Sequence, residues 1–382
     1  MKNLPATVRD LLNGSVLTRK HSLFGLTGLM IFSAVACQDH ATLNPAAVPG
    51  RSIQSSSPKP DWGPTITPQM LAIIEEAGRQ NPIPLWQLTP QEARMKPSIK
   101  DAVNALLSRN RIGIPTPPVD ISNITVGGAN GVSLRALMVK PRGLTGPLPI
   151  LVYFHGGGWV IANADVYESS AVGLAQKTGA IVVSVDYRLA PKNKFPTVHE
   201  DAYAAYLWVR ANAASLGGNP AKIAVGGESA GGNLSVGVCL LAKERGQPQP
   251  VHQMLVYPVA NNDLNTESYI RYQNAKPLDK PLIIWFVDKY FRTIADGDDR
   301  LISLTDVANL SGLPPATIIG AEIDPLQTEG RQLADKFQSV GVPVRYQLYT
   351  GVTHEFFGTN AIVPEAEQAQ NLAAQRLREA FR

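Results

Sequence analysis

Apolar and polar positions alternate in a regular order from about residue 119 to the end of the chain. Eight short runs of mostly apolar residues have the length and composition of β-strands. They occupy residues 119–126, 133–139, 150–154, 181–185, 222–225, 254–257, 317–320 and 344–349. Helical patterns separate most of them, at residues 167–177, 198–214, 233–245, 327–340 and 365–381. Because strands that alternate with helices form parallel sheets covered on both faces, we predict an α/β fold with a mostly parallel, eight-stranded sheet.

A separate group of helical patterns precedes these strands, between residues 65 and 118. Thr67 followed by Pro68 starts the first helix, and capping boxes at residues 89–92 and 98–101 start two more. Their apolar faces have two explanations that the sequence leaves open: the helices pack on the main core, or they cover a substrate as a cap. A long interruption at about residues 262–292 contains another apolar helical stretch, which we assign to the cap.

The composition is that of a packed globular protein. The chain has 382 residues, of which 44% are hydrophobic and 17% are charged, enough for one large domain and a smaller accessory segment. The formal net charge is +4, but residues 1–36 contain four basic residues against one acidic residue. The remainder is close to neutral and has no basic stripe with interleaved aromatic residues, so we expect no nucleic-acid partner.

Residues 1–36 have the organisation of an export signal. Arg19 and Lys20 precede an apolar run that is too short for a permanent transmembrane helix. The sequence Ala-Val-Ala-Cys at residues 34–37 resembles a bacterial lipoprotein processing site, which would place a lipid on Cys37. We therefore expect a periplasmic protein or a lipoprotein attached to a membrane through Cys37. Ordinary secretion after cleavage at the same place, and a buried N-terminal helix in a cytoplasmic protein, remain open.

Residues 37–64 lack apolar periodicity and include the run Ser-Ser-Ser-Pro-Lys-Pro at residues 55–60. Such a composition is typical of linkers, so we predict a flexible tether here. Apart from Cys37, the chain contains one more cysteine, Cys239, which falls in an apolar helical stretch. The sequence therefore predicts no disulfide framework.

The strongest chemical motif is Gly-Glu-Ser-Ala-Gly at residues 227–231, between a predicted strand and a predicted helix. It fits the Gly-x-Ser-x-Gly nucleophile elbow, with Ser229 on the sharp turn. Glycines two positions before and after the serine let the strand and the helix approach closely. The amide of Ala230 lies at the helix N-terminus, where it can stabilise negative charge that develops on an ester oxygen. Ser229 is therefore the candidate nucleophile; in other contexts such a serine is a turn residue or a helix cap.

A serine nucleophile needs a base and an acid that orients the base. Asp324 follows the seventh predicted strand and His354 follows the eighth, in the chain order Ser, Asp, His that is expected of an α/β-hydrolase. Glu322 and Glu329 are the competing acids, but Glu322 points to the opposite side of an extended segment and Glu329 falls within the next helix. His354 alone could also be a capped loop histidine.

Three glycines, Gly156, Gly157 and Gly158, follow the third predicted strand and are flanked by His155 and Trp159. Peptide amides approach a ligand closely only where no side chain intervenes. The sequence matches the His-Gly-Gly-Gly oxyanion loop of lipases and esterases. A plain flexible turn is the alternative, although such a turn seldom needs three glycines between aromatic residues.

Five motifs together make the chain resemble the hormone-sensitive-lipase family of bacterial carboxylesterases, within the α/β-hydrolases. They are His-Gly-Gly-Gly-Trp at 155–159, Asp-Tyr-Arg-Leu-Ala-Pro at 186–191, Gly-Glu-Ser-Ala-Gly-Gly at 227–232, Asp-Pro-Leu at 324–326 and His-Glu-Phe at 354–356. The resemblance covers about residues 65–382. It implies an α/β-hydrolase fold with a catalytic domain at 119–382 and a helical cap formed by residues 65–118 and the insertion at 262–292.

The resemblance also implies roles for individual residues. Ser229 would be the nucleophile, His354 the general base and acid, and Asp324 the partner that orients His354. The oxyanion hole would be formed by the amides of Gly157, Gly158 and Ala230. His155 and Gly156 would shape the oxyanion loop without transferring protons.

These roles predict a serine carboxylesterase that hydrolyses short- to medium-chain acyl esters of small molecules, with no metal and no cofactor. Trp159 and Glu228 are assigned to the substrate pocket, and Glu228 stands where much of the family has Asp or Thr. Two other functions remain open: the same mechanism applied to amides, lactones or aryl and phthalate esters, and a ligand-binding pseudo-hydrolase on the same fold. The sequence does not indicate the oligomeric state.

Overall fold

The computed structural model of the protein describes residues 52–382. The predicted export signal and the predicted lipidation of Cys37 lie outside these described residues. Within them, eight strands form one sheet: β1 (Val119–Gly127), β2 (Ser133–Pro141), β3 (Leu148–Phe154), β4 (Ile181–Val185), β5 (Gly218–Glu228), β6 (Gln253–Val256), β7 (Ala316–Ile323) and β8 (Val344–Thr353). The spatial order is β1-β2-β4-β3-β5-β6-β7-β8. β2 is antiparallel to both of its neighbours, whereas the pairs from β4 to β8 are parallel, which confirms the predicted mostly parallel sheet.

The helices of the described residues are α1 (Pro68–Gln80), α2 (Pro90–Arg94), α3 (Ile99–Arg109), α4 (Glu168–Thr178), α5 (Thr197–Ala211), α6 (Ala230–Glu244), α7 (Glu267–Arg271), α8 (Lys280–Tyr290), α9 (Gln327–Ser339) and α10 (Pro364–Ala380). None of them has both the length and the apolar character that are needed to cross a bilayer. The sequence placed the start of α6 three residues too late. Its first turn consists of Ala, Gly and Gly, which carry little helical signal.

The sheet separates two hydrophobic layers. Along β3, Ile150 and Val152 pack into one layer, and Leu151 and Tyr153 pack into the other. This alternation follows from the period of two residues in a strand, and because both faces are covered, the whole strand is apolar. Because these strands are parallel, their carboxyl ends lie at the same edge of the sheet, and a turn or loop follows each of them there.

The N-terminal helices begin at the predicted caps. Thr89 and Glu92 form one complete capping box, and Ser98 and Asp101 form the other. Met70 in α1 packs in the core, whereas the segment between α1 and α3 borders a cavity of about 570 Å³. Helices α7 and α8 of the predicted cap insertion border the same cavity.

The prediction of a flexible tether is wrong for residues 53–64. Ile53 is only 4% exposed and belongs to the core layer that contains α1. The backbone amides of Ser56 and Ser57 both donate to the carboxylate of Glu75, at 3.0 and 2.9 Å. A polar stretch with isolated apolar residues carries no periodic signal, yet these few contacts fasten it to the domain.

Candidate active site

The candidate nucleophile lies on a strained turn between β5 and α6. Ser229 has φ 56° and ψ −119°, a conformation that residues with a side chain rarely adopt. Its backbone amide donates to the carbonyl of Val256 at 2.9 Å, so the end of β6 supports the turn. The residue is 6% exposed. This geometry is that of the predicted nucleophile elbow.

The two glycines of the elbow are required by a close backbone contact. A Cβ atom on Gly227 would lie 2.3 Å from the carbonyl oxygen of Phe154, the last residue of β3, and a Cβ on Gly231 would lie 1.9 Å from the same oxygen. Atoms cannot approach this closely, and a backbone carbonyl at the end of a central strand cannot easily move away. The glycines therefore let the elbow sit directly against the end of β3.

Asp324 and His354 meet at the ends of β7 and β8, as predicted. The distance from His354 Nδ1 to Asp324 Oδ2 is 2.7 Å, and Asp324 Oδ1 accepts the backbone amide of Leu326 at 2.9 Å. Asp324 is fully buried and His354 is 3% exposed. Burial alone would lower the pKa of His354, but the charge and the hydrogen bond of Asp324 raise it above its ordinary value. The pair can therefore stabilise a protonated imidazole.

Another buried histidine, His199, and the competing acid Glu322 have other partners. The buried imidazole of His199 bonds to the Tyr290 hydroxyl and to Asn233, both at 2.8 Å, and its burial lowers its pKa to about 4. The carboxylate of Glu322 accepts the backbone amide of Gly351 at 2.7 Å. No group of three or more His, Cys, Asp or Glu in residues 52–382 is arranged to hold a metal ion.

The glycine loop after β3 presents free peptide N–H groups. Gly157, Gly158 and Trp159 have φ values of 91°, 57° and 63°, so three consecutive residues are left-handed. The carbonyl of Gly157 accepts the amides of Val160 and Ile161, each at 3.0 Å, which closes the loop into a tight turn. Within the described residues, no hydrogen bond uses the amides of Gly157 or Gly158, and the amide of Ala230 is one of the unbonded N–H groups at the start of α6. These are the three predicted oxyanion-hole donors.

His155 and Gly156 hold the base of this loop. The ring of His155 stacks on Tyr187 with centroids 4.1 Å apart, and its Nδ1 lies 2.8 Å from the carbonyl oxygen of Gly156. The Tyr187 hydroxyl donates to the carbonyl of His155 at 2.8 Å. Burial lowers the pKa of His155, which favours a neutral ring. A Cβ on Gly156 would lie 2.3 Å from the Tyr167 hydroxyl, so this position also has no room for a side chain.

Ser229 and His354 border one cavity of about 570 Å³, together with Gly157 and Gly158. Asp324 and Ala230 do not border it; Asp324 lies behind His354, to which it is bonded. The hydrogen bonds of residues 52–382 do not include one between the Ser229 hydroxyl and the imidazole. Such contacts are often long or poorly aligned in unliganded sites and tighten when substrate binds.

Trp159 and Glu228 both border the cavity, but neither is widely open to it. Trp159 is 3% exposed, and its ring stacks on Tyr290 with centroids 4.6 Å apart. Glu228 is 1% exposed, and its two carboxylate oxygens accept hydrogen bonds from the hydroxyls of Tyr153 and Tyr257. Their side chains thus support the walls of the site.

Two further residues at the site were missed by the sequence interpretation. Phe286 of α8 covers Gly158 so closely that a Cβ there would lie 2.2 Å from its ring. Arg94 of α2 donates from Nε to the carbonyl of Val160 at 2.8 Å and from Nη2 to the carbonyl of Ala190 at 2.5 Å. An apolar helix in the insertion was a signal for Phe286. The sequence contains no comparable signal for Arg94, because its partners are backbone atoms far along the chain.

A family model described as "alpha/beta hydrolase fold" matches residues 151–358. The match covers more than half of the chain, and it spans the glycine loop, the elbow and the loops after β7 and β8. The chain belongs to the hormone-sensitive-lipase family of α/β-hydrolases. The family and fold predicted from the motifs are thereby confirmed.

Relatives in this family are named as esterases. Carboxylesterase NlhH of Mycobacterium tuberculosis is 37% identical over 268 residues, which are 69% of this chain and 84% of that protein. Ethyl acetate hydrolase of Pseudomonas putida is 31% identical over 324 residues, 82% of this chain and 99% of that protein. The crystal structure of a thermostable esterase from Pseudomonas putida matches with a TM-score of 0.76 at 30% identity, covering 84% of this chain and 98% of that one. Ester hydrolysis is therefore the activity of these family members.

The contact between the elbow and β3 predicts a large effect of Gly231→Ala. Because the added methyl group would collide with the Phe154 carbonyl, we expect the free energy of unfolding to fall by about 2–3 kcal/mol. Urea denaturation measures this loss. Gly330→Ala in α9 is the matched control: its nearest neighbour is Pro258, at 4.0 Å, and a helical alanine should stabilise by up to about 1 kcal/mol. Equal denaturation midpoints for the two variants would contradict the steric argument.

Proposed function

We propose that this family member is a serine carboxylesterase in which Ser229 is the nucleophile, His354 the general base and acid, and Asp324 its orienting partner. One observation carries the proposal. Gly157 and Gly158, whose peptide N–H groups are free, border one cavity together with the strained Ser229. The imidazole of His354 borders the same cavity and is bonded to the buried carboxylate of Asp324. This is the combination that acyl transfer through a serine requires.

In the first half of the reaction, the Ser229 hydroxyl attacks the carbonyl carbon of the ester. Since Nδ1 of His354 is bonded to Asp324, Nε2 is the nitrogen left to take the serine proton. The buried carboxylate then stabilises the imidazolium without becoming protonated itself. The imidazolium returns the proton to the leaving alkoxide, and the acyl group remains on Ser229.

The negative charge on the carbonyl oxygen is the main obstacle in this step. The amides of Gly157, Gly158 and Ala230 are free to donate to that oxygen, and the N-terminus of α6 adds its dipole. In the second half, His354 takes a proton from water, and the resulting hydroxide attacks the acyl-enzyme. The same donors hold the second tetrahedral intermediate until the bond to Ser229 breaks, the imidazolium of His354 returns its proton to the serine oxygen, and the carboxylic acid leaves.

The cavity supports a small or medium-sized apolar ester as the substrate. Its volume of about 570 Å³ is within the usual range for sites that bind small molecules. Apolar side chains from two segments line it: Ile83, Leu85 and Trp86 from the N-terminal cap, and Leu282, Ile283 and Phe286 from α8. The names of the relatives agree, since they include an ethyl acetate hydrolase and an arylesterase of Saccharolobus solfataricus.

Ser229→Ala is expected to lower kcat for p-nitrophenyl butyrate by at least about 10³-fold, because the acyl-enzyme can no longer form. A fluorophosphonate probe should label the wild-type protein and leave the variant unlabelled. Ser215→Ala, a change of an exposed serine, is the control and should retain both activity and labelling. Full turnover by the Ser229→Ala variant would refute the proposed mechanism, and a wild type that neither turns over nor reacts would indicate a pseudo-hydrolase.

The capped cavity predicts a preference for short acyl chains. The kcat/KM for p-nitrophenyl butyrate should exceed that for the palmitate ester by about tenfold or more, because the cavity is small and Phe286 takes up part of its wall. Phe286→Ala should raise the palmitate-to-butyrate ratio by about threefold or more. Ile284→Ala, on the exposed side of the same helix, should leave the ratio unchanged. A wild-type preference for palmitate would contradict this substrate class.

We propose further that the protein is exported and carries a lipid on Cys37. The support comes from the sequence: a basic pair, an apolar run and small residues before the cysteine. Expression of the full chain in a bacterium, followed by intact mass measurement of the membrane fraction, should show loss of residues 1–36 and added acyl mass. Cys37→Ala should abolish that mass, whereas Cys239→Ala should retain it. A product that still begins at Met1 would contradict processing.

A further inference from the structure

Two glutamates flank the residues of the proposed mechanism. Glu228 directly precedes Ser229, and Glu355 directly follows His354. Both border the cavity, and Glu228 is almost completely buried. Glu355 also adopts a left-handed backbone conformation, with φ 68°. The two-step hydrolysis described above uses neither carboxylate.

Three tyrosine hydroxyls donate to these two carboxylates. Tyr153 bonds to Oε1 of Glu228, Tyr257 bonds to Oε2 of the same residue, and Tyr167 bonds to Oε1 of Glu355 at 2.5 Å. An ionised carboxylate offers only acceptors, so hydroxyls that donate to it stabilise its negative charge. The arrangement is therefore built to hold a negative charge inside the protein.

The tyrosines place this charge next to the proposed base. The ring of Tyr257 packs against the imidazole of His354, with centroids 4.3 Å apart. The Tyr167 hydroxyl lies against Gly156, at the base of the glycine loop. The hydrogen-bonded group thus connects the elbow, the loop after β8 and the glycine loop.

The two carboxylates affect each other's ionisation. Burial, followed by the charge of Glu355, raises the pKa of Glu228 to about 7, and burial also raises the pKa of Glu355. Two buried carboxylates that repel each other do not ionise independently. The groups that face the pair are His354 and Asp324 at the strand ends, Tyr153 of β3, Tyr257 after β6, and Tyr167 and Ser170 beside and within α4.

We propose that Glu228 and Glu355 are positioning residues whose negative charge, fixed by three tyrosine hydroxyls, stabilises the protonated imidazole of His354 during turnover. The inference rests on the proposed role of His354 as the base. A bridge with only a structural role would not need carboxylates, because apolar residues of similar volume stabilise an interior at least as well. After Asp324, the charges of Glu355 and Glu228 are the next contributions that raise the pKa of His354.

The test is the pH dependence of kcat/KM for p-nitrophenyl acetate in Glu228→Gln and Glu355→Gln. His354 must be neutral to act as a base, so activity falls as the pH drops through its pKa. Removing negative charge lowers that pKa, and the acid limb of each variant should move to lower pH by about half a unit or more. The kcat/KM on the alkaline plateau should fall by about threefold, because the imidazolium is less stable. Glu228→Asp keeps the charge and should return the midpoint towards the wild-type value.

Glu244→Gln controls for the loss of a carboxylate elsewhere, since Glu244 pairs with Arg300 on the surface. It should leave the acid limb in place. If both test variants are folded, react with the fluorophosphonate probe and retain the wild-type midpoint, the glutamates are structural only and the proposal is overturned. The same conclusion follows if Glu244→Gln shifts the limb as far as they do.

A second measurement does not depend on ester turnover. The imidazole signals of His354 can be titrated by NMR in protein with labelled histidine, with assignment by His354→Gln. The pKa of His354 should be lower in Glu228→Gln and Glu355→Gln than in the wild type, and unchanged pKa values would overturn the proposal. A wild type without esterase activity or labelling would refute the proposed function, while this titration would still test the glutamate pair.

Discussion

The carbonyl oxygen of Phe154 occupies space that is open only because residues 227 and 231 are glycines, and this contact sets the geometry of the whole site. Gly227 and Gly231 both face that oxygen at distances that no Cβ could tolerate. As a result, the end of β3 and the turn that carries Ser229 are held together by backbone atoms alone. The glycine loop begins at the next residue after Phe154, so its free amides start from a fixed point beside the serine. The strain at Ser229 is maintained by this packing and by the bond to Val256.

Electrostatic forces act strongly at this edge of the sheet because the charged groups there are buried. Asp324 and Glu228 are each at most 1% exposed, so salt and water screen their interactions with His354 only weakly. Burial also raises the pKa of Glu329 well above its usual range. The carboxylate that is directly bonded to the imidazole is that of Asp324.

Much of the fold could be predicted from the sequence because its signals are local. Central parallel strands such as β3 are continuously apolar, and the positions of Asp324 and His354 in the segments after the last two predicted strands placed them at one edge. The capping boxes at Thr89 and Ser98 were likewise visible in four-residue patterns. The failures concern contacts between distant segments. No periodicity indicates that Ile53 fills a core position, or that tyrosines from three separate segments share two glutamates. The start of α6 was misplaced because its first three residues, Ala, Gly and Gly, carry little helical signal.

Arg94 has a consequence for how the two parts of the chain can evolve. From the short helix α2, its guanidinium holds the carbonyls of Val160 and Ala190, which belong to the segments that shape the glycine loop. The N-terminal helices therefore cannot be exchanged independently of the glycine loop. A chimera that takes these helices from a homologue should keep the conformation of the glycine loop only if the homologue has a cationic side chain at the position of Arg94. Recombination between relatives should accordingly preserve residues 90–94 and 155–191 as one inherited block.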